Sequence, residues 1–130
     1  MLILTLRTDN PQAEIGLYES NEKLAYEKWV AHRQLAETIH TKILDLLKTQ
    51  DKQWSDIQAV VCYEGPGSFT GLRIGLSVAN ALASSLDVPI ESSTDENWIE
   101  KAIKKLTTKS FTSPVMPVYG AEVHITQPLT

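Results

Sequence analysis

Apolar positions along the chain change their period several times, and each change marks an element. Leu2 to Leu6 reads as a strand, followed by the turn signal Asp9-Asn10-Pro11. Gln12 to Tyr18 alternates as a second strand, Glu19-Ser20-Asn21-Glu22 makes the next turn, and Leu24 to Val30 reads as a third strand of an antiparallel meander. From His32 the period lengthens. Leu35, Ile39, Ile43 and Leu46/Leu47 recur every three or four positions, which predicts an amphipathic helix over 32–48, broken by Thr49 to Ser55.

Ile57 to Tyr63 is a continuous apolar run of strand length, suited to the buried centre of a sheet. Gly65-Pro66-Gly67 is a tight turn, and Ser68 or Thr70 can cap a helix running to about Leu86. Val88-Pro89-Ile90 reads as a short strand, and Asp95 to Leu106 as a charged, peripheral helix. Beyond Leu106 the periodicity fades. The expected organisation is one domain over 1–106 and an irregular tail over 107–130. The order β-β-β-α-β-α-β-α implies an α/β fold with helices on a mixed sheet, and suggests a ribonuclease-H-like half-fold.

The helix at 72–86 is unusual in having almost no polar face beyond Arg73 and Asn80. A helix apolar all round is normally buried on more than one side. Gly71, Gly75, Ala79 and Ala83 fall at successive i+4 positions, a smooth stripe that allows another backbone to come close. One face must cover the sheet, and a chain this short has few elements left for the other. The expected use is a protein–protein interface shared with helix 32–48, carried by His32, Leu35, Ile39, Gly71, Leu72, Gly75, Leu76, Ala79 and Ala83. The alternative is a core helix covered by the chain's own C-terminal segment.

Composition narrows the classes. With 130 residues, 42% hydrophobic and 22% charged, the chain fits a soluble globular domain with one core. The formal charge of −4 supplies no basic face for broad phosphate neutralisation, which disfavours nucleic-acid binding while leaving room for a local basic patch. Cys62 is the single cysteine, within an apolar run, and reads as a buried small hydrophobe. The opening apolar stretch is too short for a signal-peptide core, and no stretch approaches the roughly 18 residues of a membrane span. The expected compartment is the cytoplasm.

A strand, then Gly65, Gly67 and Gly71, then a helix is also the layout of a phosphate-binding loop, with Gly67, Ser68 and Thr70 as anion-site candidates. The spacing matches neither the dinucleotide nor the Walker pattern. The preceding meander is wrong for a first dinucleotide-binding unit, although Glu91 lies at a usable distance. An anion- or nucleotide-binding enzyme using the Gly65–Gly71 turn therefore stays open as the second reading.

The stretch Gly65-Pro66-Gly67-Ser68-Phe69-Thr70-Gly71-Leu72-Arg73-Ile74-Gly75-Leu76 resembles the signature of the TsaB (YeaZ) family, and the resemblance extends along residues 1–105. It implies a fold of the actin/Hsp70/sugar-kinase superfamily and a non-catalytic role beside a TsaD-like enzyme in threonylcarbamoyladenosine modification of tRNA position 37. It further implies pairing with that enzyme, or with a second copy, through helices 32–48 and 70–86, and a TsaE-like ATPase joining the complex, with tRNA touched only indirectly. No cofactor is implied. Three features depart from the family. Its first strand usually ends Asp-Thr-Ser, where this chain has Arg7-Thr8-Asp9, and only one of two copies of the fold is expected here. The segment Tyr119 to Thr126 has no counterpart in the family, and a homodimer outside the tRNA pathway is a third possibility.

Catalytic groups are not expected. His32 and His40 stand eight positions apart, more than two helical turns, which is too far for two ligands of one metal ion, and His124 has no partner nearby. Ser68 lacks the elbow pattern of a serine nucleophile. Glu64, at the end of the central strand, could be a ligand, an ion-pair partner of Arg73 or a solvated side chain, and the last two are favoured.

Overall fold

The computed structural model of the chain describes residues 1–31, 34–66 and 70–108. Three strands come first: β1 (Leu2–Arg7), β2 (Gln12–Glu19) and β3 (Glu22–Val30). Then follow α1 (Leu35–Thr49), a short 3₁₀ turn at Trp54–Asp56, β4 (Ala59–Tyr63), α2 (Thr70–Leu86), β5 (Ile90–Ser93) and α3 (Trp98–Thr108). The sheet order is β3-β2-β1-β4-β5. The meander is antiparallel, whereas β4 runs parallel to both β1 and β5, with Leu4 opposite Val60 and Val61 opposite Glu91. Among the described residues no helix is long and apolar enough to cross a membrane.

Alternation along the strands sorts the core into two layers. Leu4 and Leu6 on β1, with Ile15 and Leu17 opposite them on β2, face α1 and α2. α1 is tied to the edge strand by Trp29, whose indole N–H donates to Thr38 Oγ1 at 3.1 Å, and by the Lys42–Glu27 ion pair at 2.9 Å. Ile3, Thr5 and Arg7 point to the other side. There Tyr63 meets Trp98 of α3 edge-on, with ring centroids 6.0 Å apart, and Lys105 Nζ donates to the Ser92 carbonyl at 2.7 Å. All five residues of β4 are buried, as its unbroken apolar run predicts for a strand covered on both faces.

Several boundaries differ from the sequence expectation: β3 begins at Glu22, α1 at Leu35 and β4 at Ala59. The fifth strand begins at Ile90 rather than Val88, because Pro89 has no N–H for the ladder and contributes only its carbonyl, which accepts from Val60 N at 3.0 Å. The last helix starts at Trp98, since Asp95 sits at φ 73°, outside helical space. That helix is not peripheral: Trp98, Ala102, Ile103 and Leu106 are all buried. It continues through Thr108, and residues 109–130, the remainder of the expected tail, lie outside the described residues.

Helices α1 and α2 end in the same way. Asp51 N donates to Lys48 O and Lys52 N to Leu47 O; Asp87 N donates to Ser84 O and Val88 N to Ala83 O. Each pair of bonds is a Schellman motif with its left-handed residue an aspartate, at φ 55° and 57°. Glycine takes that conformation without the steric cost a side chain adds. Asp87→Gly should therefore raise stability by about 0.5–1 kcal/mol, while Asp87→Val should lower it. Thermal denaturation of the two variants against the parent chain checks the sign.

A close fit between layers is at Gly75 of α2. A Cβ there would overlap Thr8 Oγ1 and lie 2.8 Å from Thr8 Cγ2. Gly75→Ala should cost about 1–3 kcal/mol through overpacking. Thr8→Gly in the same chain should recover part of that loss, so the double-mutant cycle should show a favourable coupling in urea unfolding.

Candidate interaction surface

α2 presents two apolar sides, and the structure decides which one the chain uses for itself. Leu72 and Ala79 are 0% exposed, and Gly71, Gly75, Leu76 and Ala83 are buried with them against the sheet. On α1, Leu35 and Ile39 are likewise buried. The small-residue stripe thus packs against Thr8 and the strands of this chain. Of the residues expected at an interface, Leu35, Ile39, Gly71, Leu72, Gly75, Leu76, Ala79 and Ala83 line the inward side of the helix pair and are buried within the chain. His32 lies outside the described residues.

The outward side has a different composition. On α2, Arg73, Ser77, Ala81, Ser84 and Ser85 are exposed, while Ile74, Val78 and Leu82 lie half-buried between them at i+4 spacing. On neighbouring α1, Glu37, His40, Thr41 and Asp45 are exposed. The result is a shallow apolar row on α2 bordered by small hydroxyls, with an acidic α1 beside it. The signal for this row was present in the sequence as a second i+4 series offset by one position from the glycine-alanine stripe.

The ends of β1 and β4 form a second cluster. Arg7 donates from Nε and Nη2 to the two carboxylate oxygens of Asp9, at 2.8 and 3.2 Å, and its guanidinium lies 4.0 Å over the Tyr63 ring. The hydrogen bond to Asp9, strengthened by that carboxylate's charge, raises the Arg7 pKa against the opposing effect of burial. Both oxygens of Asp9 are engaged in this pair, which leaves the turn after β1 internally neutralised. The Tyr63 hydroxyl donates to the Pro66 carbonyl at 3.4 Å, and Gly65 takes φ 118°, where a side chain would be strained. Gly67 and Ser68 lie outside the described residues, and Thr70 opens α2 exposed.

Glu64 is half-buried rather than solvated, and its carboxylate accepts from Ser92 Oγ at 2.5 Å across the β4–β5 pair. Among the described residues no group of three or more His, Cys, Asp or Glu is placed to hold a metal ion. His40 packs its ring 6.3 Å from that of Trp54.

Cys62 is buried, as its apolar neighbours predict, with its thiol against the Glu91 carbonyl at 3.8 Å. Burial, with smaller contributions from Glu64 and Glu91, pushes its pKa far up. A raised pKa in the folded state means that stability is complete below the ordinary thiol value of about 8.5 and falls as pH rises above it. Native protein should accordingly leave Ellman's reagent unreacted at pH 8, and release one thiol per chain after denaturation. Reaction in the native state at the denatured rate would show Cys62 to be accessible.

Residues 29–92 match the TsaD family, described as tRNA N6-adenosine threonylcarbamoyltransferase, a stretch that contains α1, β4 and α2. The tRNA threonylcarbamoyladenosine biosynthesis protein TsaB of Bacillus subtilis is 32% identical over 71% of this chain and 40% of its own length. TsaB of Escherichia coli is 31% identical over 69% of this chain and 38% of its own. The solved structure of YeaZ from Pseudomonas aeruginosa superposes with a TM-score of 0.66 at 29% identity, covering 72% of this chain and 44% of that one. The chain belongs to the TsaB/YeaZ family. RuvC from Thermus thermophilus, at 14% identity and a TM-score of 0.52, shares the fold alone and fits the ribonuclease-H-like reading. The chain spans about 40% of the length of the curated TsaB relatives it matches. The tRNA N6-adenosine threonylcarbamoyltransferase of Staphylococcus carnosus is 43% identical over 47% of this chain and 18% of its own length.

Proposed function

We propose that this TsaB/YeaZ family member acts in tRNA threonylcarbamoyladenosine biosynthesis as a non-catalytic partner of a TsaD-like enzyme. The observation that carries the reading is the outward row Ile74, Val78 and Leu82, with exposed Ala81, on a helix pair within the family-matched segment. Small side chains around that row let a partner helix approach closely, and the half-exposed apolar groups gain from leaving water. The Arg7–Asp9 pair supports the non-catalytic part, because where the family usually has Asp-Thr-Ser this chain's acidic group is taken up in an internal ion pair. A second copy of the chain can use the same outward row in place of the enzyme. A TsaE-like ATPase joins the enzyme-bound form, tRNA is reached through the enzyme, and the assembly works in the cytoplasm.

Ala81→Arg places a charge in the row without touching the core. It should weaken association with the TsaD-like protein of the same organism at least about tenfold, as expected for a residue central to an interface, with little change in the thermal midpoint. Retained wild-type affinity would remove α2 from the interface. Calorimetry of the unmodified chain with ATP tests the rival directly: no heat of binding is expected, and micromolar affinity would favour a nucleotide site at the Gly65–Gly71 turn.

A further inference from the structure

No further inference is drawn: the strongest candidate, the face of β1, β2 and β3 turned away from α1 and α2, where Tyr18, Leu24 and Tyr26 lie half-buried near the buried, unpartnered hydroxyl of Thr5, has nothing in the structure to show what covers it.

Discussion

The seat of α2 on the end of β1 fixes what the rest of the molecule can do. Thr8 fills the space left by the missing side chain of Gly75, and this contact sets the rotation of the helix about its own axis. With that rotation set, Leu72, Leu76, Ala79 and Ala83 go into the core and Ile74, Val78 and Leu82 are left at the surface. A bulkier residue at either position would lift the helix or turn it. The inward fit and the outward face are thus one geometric decision, made where a glycine meets a threonine.

Much of this was legible in the sequence, and the failures have identifiable causes. α1 was readable because its apolar series has a polar opposite side, Glu37, His40 and Asp45, that fixes its orientation. α2 was readable as a helix but not in orientation. With apolar residues on nearly every side, periodicity alone does not distinguish the stripe that packs from the row that is left out. The small residues that suggested a contact between molecules make, in the described residues, a contact within one chain. β4 was legible from its unbroken apolar run, and the fold class followed from the element order.

What stayed hidden depends on partners distant in sequence or on backbone conformation. The Glu64–Ser92 hydrogen bond joins residues 28 positions apart, so its existence follows only from the β4–β5 pairing. The left-handed aspartates at 51 and 87 were invisible, because aspartate more often signals a helix start than a helix end. Arg7 departs from the family's usual first-strand end. Its partner Asp9 is two residues on in the sequence, but the stacking over Tyr63 follows only from the β1–β4 register.

That register has a temporal side. β1 pairs with β2 across a short turn, yet its other edge waits for β4, whose first residue is Ala59. During synthesis at roughly 5–20 residues per second, the edge of β1 stays unpaired for about 3–10 s while the intervening chain is made. An apolar strand edge held open for that long is a template for pairing with other chains. The meander therefore emerges from the ribosome in its most association-prone form. The arrival of β4, with α2 closing over it at Gly75, ends that exposure.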